Sequence, residues 1–375
     1  MTSSIKPLFS PLFAFLAALL VFTSQKAEAQ HPLNDAQQRA LTALESGDWQ
    51  KALSETTQTI SDFGSRGKTL WGARFGWFYY MQGYSMVKLG QFEPAMESFK
   101  ICHEQYKNSP PERNNPVSEY KNPYEVKSVL RWAEAAVYAK QYDVAVDQYQ
   151  RFLKIRTPEE KFNPGSLYLN LGISYLKMDG GDAKKGVESL ETAIANKVKW
   201  RTPDSQVMKG FGALIEYCLK VNNQQLAIDF ITKNRADIEL SPYVRQRYAP
   251  LFMKQANEAL EKDMNRVAFL LYGLVPSTQS AISDLENRLA AFTPRNRVQD
   301  VGGTLDRNQL EAELKVLRAR QASGRAYEST ALQFIAIIHE KMGNPRAAFA
   351  AYEQLELFYS KNKNREANLY NLVRT

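Results

Sequence analysis

A small residue returns near the start of one helical segment after another, at Ala52, Ala95, Ala145, Gly186, Ala227, Ala268 and Ala348. The intervals are 43, 50, 41, 41, 41 and 80 residues, the last close to two units. In four of these segments an aromatic follows one turn later: Phe99, Tyr149, Tyr272 and Tyr352. Apolar residues fall on helical spacing through nearly the whole chain, and no run alternates convincingly as a strand. Units of this kind cannot bury their faces alone and stack on their neighbours. The predicted fold is therefore all-α, an α-solenoid of helix-turn-helix repeats on a register of about 41 residues, with roughly seven to eight units and no sheet.

Three segments show the repeat best. One reads Gly83-x6-Gly90-x-Phe92-x2-Ala95-x3-Phe99, a second Leu171-Gly172-x2-Tyr175, and a third Gly343-Asn344-Pro345-x2-Ala348-x3-Tyr352. These resemble the tetratricopeptide consensus, W-x2-L-G-x2-Y…A-x3-F…P. Small residues in the first helix (Gly83, Ala133, Gly172) let the second helix approach, and the aromatic fills the gap between units. The 50-residue interval reflects a Pro/Asn-rich insertion at 108–123, and Gly180-Gly181 a lengthened turn. Pro110, Pro158, Pro203, Pro242 and Pro276 fall at unit ends, where helices must stop. Asn344-Pro345 supplies an N-cap and a first-turn proline. The 80-residue interval keeps helical faces at Ile282, Leu285, Leu289 and Phe292 and at Leu310, Leu314 and Leu317, around a breaker, TPRNRVQDVGGTLD. It is read as a degenerate repeat, with a hinge as the alternative.

The expected organisation is a signal peptide over 1–29, a tetratricopeptide-like solenoid over 30–276, a degenerate repeat or linker over 277–328, and a last unit with a capping helix over 329–375. Lys6, the apolar run from Leu12 to Phe22 and the Ala27-Glu28-Ala29 site carry the first of these. The run is too short to span a bilayer comfortably, so no integral membrane segment is expected after cleavage. Export to a bacterial periplasm or cell exterior follows. None of the 21 Asn residues lies in an N-x-[ST] acceptor, which favours that compartment over a eukaryotic secretory route. Removing 1–29 leaves 46 Lys+Arg against 39 Asp+Glu, a modest and scattered excess. A solvated surface accounts for it as well as nucleic acid would, and nucleic acid is not expected as a partner.

No chemistry is visible in the chain. His31, His103 and His339 do not converge as metal ligands. Cys102 and Cys218, on inward positions of different units, are expected as buried free thiols. No nucleophile elbow, phosphate-binding glycine loop or metalloprotease helix occurs, so neither an enzyme activity nor a cofactor is expected. The resemblance implies instead a concave groove lined by the first helices of successive units. Transferred by register, it places Trp77, Tyr80, Tyr84 and Lys88, then Lys127, Leu130, Glu134 and Tyr138, then Leu169, Ile173 and Lys177, then Lys209, Glu216 and Lys220 on that groove. Aromatic and Lys residues suit an extended protein or peptide partner with apolar anchors and some negative charge. The peptide-carboxylate clamp of chaperone-binding relatives is unmatched, because Tyr80, Tyr84, Leu130 and Glu134 occupy its positions. The expected role is a non-enzymatic exported scaffold of envelope assembly or secretion. A polysaccharide-handling solenoid is the alternative, and an accessory solenoid of a cell-wall enzyme ranks last.

Overall fold

The computed structural model describes residues 32–108, 122–158, 160–238, 241–292, 299–300, 303–304, 307–323, 326–359 and 365–374. The expected signal peptide, His31, Pro110 and most of the 108–123 insertion lie outside them. The chain forms two compact units, Met1–Lys161 and Phe162–Thr375, and both are helical.

The first unit holds α1 (32–45), α2 (Trp49–Trp71), a 3-10 turn (Gly72–Phe75), α3 (Gly76–Lys88), α4 (Phe92–Gln105), α5 (Glu125–Tyr138) and α6 (Tyr142–Ile155). Successive helices from α2 onward pack side by side. α2 is bent at Gly64, whose φ of 44° no helix accommodates. Beyond the bend, Trp71 stacks on Phe78 at 5.6 Å, and Phe75 lies 5.3 Å from Phe78 and 5.8 Å from Tyr106.

The second unit begins with α7 (Pro164–Lys177) and α8 (Ala183–Ala195), then a short α9 (Lys197–Trp200). There follow α10 (Asp204–Lys220), α11 (Gln224–Lys233), a short α12 (Arg235–Ile238), α13 (Pro242–Glu261) and α14 (Asn265–Tyr272). It ends with α15 (Thr278–Ala290), α16 (Arg307–Ala322), α17 (Tyr327–Lys341), α18 (Pro345–Phe358) and α19 (Arg365–Arg374). α14 packs directly on α17, whereas α15 packs on α13 and α16. The residues that lengthen the last interval thus form a hairpin seated against α13, beside the α13–α14 and α17–α18 succession. Between α15 and α16 there is a two-residue antiparallel pairing, with Gln299 opposite Thr304 and Asp300 opposite Gly303.

The register of small residues is a packing rule. Each one is the fourth residue of its helix, in α2, α4, α6, α8, α11, α14 and α18. All six alanines are fully buried. A Cβ on Gly172 would come within 2.8 Å of Leu190 and 2.9 Å of the Gly186 carbonyl, and one on Gly186 within 2.8 Å of Leu176. A Cβ on Gly83 would meet the Phe99 ring at 2.9 Å. Helices pack this closely only where one partner is small.

Six of the seven turns share one geometry. The residue five before the small residue is left-handed: Gly47, Gly90, Lys140, Asn222, Asp263 and Gly343, with φ between 55° and 76°. The next N–H then donates to the carbonyl five residues back, as from Gln91 to Met86 (2.8 Å), Gln141 to Ala136 (2.9 Å) and Asn344 to His339 (2.8 Å). This closure satisfies carbonyls that a helix end would otherwise leave unpaired. The seventh turn is one residue longer. Gly180 takes φ 68°, and a Cβ on Gly181 would sit 2.6 Å from the Tyr175 carbonyl, so the pair of glycines is required there. Asp48, Asp182, Asn223 and Asn344 cap the helices that follow. Pro203 and Pro242 act as starts rather than stops, at the N-cap of α10 and in the first turn of α13.

The base of the insertion is locked. Asn108 and Asn122 exchange hydrogen bonds, Asn122 N–H to Asn108 Oδ1 at 2.6 Å and Asn108 Nδ2 to the Asn122 carbonyl at 3.0 Å. Buried Asn122 also donates to the carbonyls of Cys102 (3.3 Å) and Tyr106 (3.1 Å). The turn from α4 to α5 is therefore held at its base, whatever its length beyond.

Candidate partner-binding surface

In the first unit, α2, α3 and α5 bring aromatic and charged side chains onto one surface. Tyr84 on α3 meets Trp49, the first residue of α2, edge-on at 5.9 Å. The Lys88 ammonium lies 5.5 Å from the Trp49 ring and 5.4 Å from the Tyr84 ring. The Arg131 guanidinium, on α5, is 5.9 Å from the Tyr84 ring, and its Nη1 is 2.5 Å from Glu134 Oε2. Spacings of three, four and seven residues bring side chains onto one helix face, which is why Tyr84 and Lys88 share a neighbour. Lys127 lies 5.6 Å above Tyr124, the N-cap residue of α5. Burial works against the Arg131 charge, but Glu134 and the Tyr80 hydroxyl beside it hold the guanidinium firmly protonated.

Two residues expected on this surface belong to the core instead. Trp77 is 4% exposed and meets Phe78 edge-on at 5.0 Å. Tyr80 is 6% exposed, stacks on Tyr124 at 4.3 Å and meets Phe99 edge-on at 5.6 Å. Burial pushes its hydroxyl pKa up. The reason is geometric: α3 lies between α2 and α4 and also touches α5, so only a narrow strip near its C-terminal end stays open. Tyr84 and Lys88 lie on that strip. Tyr138 is 60% exposed but turned elsewhere, stacked on Phe92 at the start of α4. Trp49 and Arg131 were missed by the sequence reading. Trp49 lies in a second helix, and Arg131 sits between the α5 positions that were singled out.

In the second unit Lys177 of α7 pairs with Glu216 of α10 at 3.0 Å, while Lys209 and Lys220 are exposed. Leu169 is buried and Ile173 half-buried against the same core. The unit offers cations here without aromatic anchors, a weaker basis for recognition than the first unit has.

Cys102 and Cys218 are both free and buried. Burial pushes the Cys102 thiol up to about 11 and the Cys218 thiol to about 12. His103 is buried, its Nδ1 3.1 Å from the Glu125 carbonyl, and burial lowers its pKa. Among the described residues no group of three or more His, Cys, Asp or Glu side chains is placed to hold a metal. No described helix is long and apolar enough to cross a membrane.

Residues 78–109, which span most of α3 and all of α4, match the tetratricopeptide repeat family model. No curated protein matches the chain. Among solved structures it is similar to the C-terminal part of a TPR repeat-containing protein from Cytophaga hutchinsonii. That match has 13% identity and a TM-score of 0.36, over 77% of this chain and 99% of that one. It is also similar to the apo form of RapI, with 14% identity and a TM-score of 0.38, over 90% of this chain and 97% of that one. One tetratricopeptide repeat is thus matched at 78–109, and the seven small-residue positions with their shared turn geometry repeat its helix-pair pattern through the described residues.

Proposed function

We propose that this protein is an exported scaffold that holds a protein or peptide partner on the open surface of α2, α3 and α5. The tetratricopeptide fold serves protein interaction, and here the reading rests above all on the Trp49–Tyr84–Lys88–Arg131 cluster. Aromatic and arginine side chains on a rigid support are the groups that dominate binding energy at interfaces. The two cations of that cluster, with Glu134 the one carboxylate beside them, suit a segment with an apolar anchor and negative charge. Export rests on the signal-like residues 1–29, and a place in envelope assembly or secretion follows from it. Lys177, Lys209 and Lys220 would add electrostatic attraction rather than anchoring.

The reading is tested by mild crosslinking in the exporting compartment, purification and mass spectrometry, with wild-type protein and Tyr84→Ala side by side. One or two envelope proteins recovered with wild-type and depleted with Tyr84→Ala is the expected result. Recovery of glycan with no stoichiometric protein would replace this reading with polysaccharide handling.

A further inference from the structure

In the other unit, α13, α16 and α17 line a half-open cavity of about 250 Å³. Cavities that take a whole small molecule run to roughly 300–1,000 Å³, so this one has room for one or two side chains of a longer ligand. Gln246 lines it, 2% exposed, and neither its Oε1 nor its Nε2 has a hydrogen-bond partner. Buried amides are almost always paired within the protein, which makes this one an unfilled donor and acceptor. Pro250, also in the wall, lies inside α13 one turn on. It has no N–H to give the Gln246 carbonyl, so that acceptor also lacks its helical donor.

The charged groups of the wall are unequal. Its one carboxylate, Glu313, accepts from the Tyr243 hydroxyl at 2.5 Å and sits 3.7 Å from Arg247. The Arg320 guanidinium lies 4.6 Å over the Tyr327 ring, and among the described residues no carboxylate pairs with it. Leu317 and Val316 complete an apolar side.

Resting on the scaffold reading above, we propose that this cavity binds an extended acidic peptide. A peptide unit pairs with the Gln246 amide, an apolar side chain lies against Leu317 and Val316, and the neighbouring carboxylate meets Arg320. A side-chain amide offers one donor and one acceptor side by side, the complement of a backbone C=O and N–H. An arginine already stacked on a tyrosine offers its fork to a carboxylate in a fixed geometry.

The test uses the full chain and three fluorescein-labelled hexapeptides, alternating Leu-Glu, Leu-Gln and Leu-Lys, followed by fluorescence anisotropy. The Leu-Glu peptide should bind saturably and weaken as salt rises, with Leu-Gln weaker and Leu-Lys without binding. Arg320→Gln and Gln246→Leu should each weaken Leu-Glu binding about tenfold or more. Gln246→Leu should melt no lower than wild-type, because its amide makes no internal bond to lose. Failure of wild-type to bind Leu-Glu, or equal binding by both variants, would overturn the proposal. If binding is instead lost in Tyr84→Ala and kept in Gln246→Leu and Arg320→Gln, the surface on α2, α3 and α5 stands and the cavity does not. A Gln246→Leu variant that unfolds leaves Arg320→Gln as the deciding measurement.

Discussion

At the scale of the residue, the turn conformation is kept while the residue type varies. Gly47, Gly90 and Gly343 take left-handed φ at no steric cost, but Lys140, Asn222 and Asp263 take it with a Cβ. Asn and Asp tolerate the region through their short polar side chains, whereas Lys140 has no such relief. Lys140→Gly should therefore raise stability by about 1 kcal/mol, and Gly90→Ala should lower it by about as much, in urea titrations. Space does not enter at Gly90, since a Cβ there would meet nothing within 4 Å. This turn is legible in the sequence where Gly marks it and hidden where Lys does, because a lysine gives no sign of positive φ. The thiols give a second outcome at this scale. Buried, with pKa values near 11 and 12, Cys102 and Cys218 should stay unlabelled by a thiol reagent at pH 8 in the native state. Two thiols per chain should label in denaturant. Labelling of either one in native buffer at the rate of a free thiol would contradict their burial.

At the scale of the element, the fourth residue of each second helix decides how close a pair can pack. Ala95→Leu and Ala348→Leu should each cost about 1–3 kcal/mol by overpacking, read as a lower denaturant midpoint. That rule was visible in the sequence because it repeats. The seating of the α15–α16 hairpin was not, since its helical faces look the same whether it stacks in line or packs beside the succession. What anchors it has no local signature: Glu328, at the start of α17, accepts from the Thr278 N–H at 2.7 Å and hydroxyl at 2.8 Å, fifty residues away. Glu328 is 8% exposed, and Tyr359 beside it has its hydroxyl pKa pushed up to about 12, first by burial and then by that carboxylate. Glu328→Ala leaves a buried N–H and hydroxyl unpaired, each worth about 1–3 kcal/mol, so a loss of several kcal/mol in a thermal or urea melt is expected. Glu328→Gln keeps one acceptor and should lose less.

At the scale of the whole molecule, function rests on which side chains remain open once the helices have packed. The sequence placed Trp77, Tyr80 and Tyr84 on one face of α3, and spacing alone gave no reason to separate them. Neighbouring helices separate them: Tyr80 is covered by Tyr124 and Phe99, while Tyr84 keeps an open side among Trp49, Lys88 and Arg131. Register patterns identify a helix face, but only tertiary packing identifies which part of that face is covered. The two tyrosines, one turn apart, should thus respond oppositely to truncation. Tyr80→Ala removes a core aromatic and should destabilise the protein by about 3–5 kcal/mol. Tyr84→Ala removes an edge-on contact and two cation–π contacts at a half-exposed site, together about 1–2 kcal/mol, and should leave the fold intact. If Tyr84 is a partner anchor, its loss should weaken binding by about 2 kcal/mol, some thirtyfold, in a pull-down titrated against wild-type. A Tyr84→Ala variant that folds and recovers its partner undiminished would move recognition off α3. The measurement would then pass to Trp49 and Arg131, whose rings and guanidinium reach the same surface from α2 and α5.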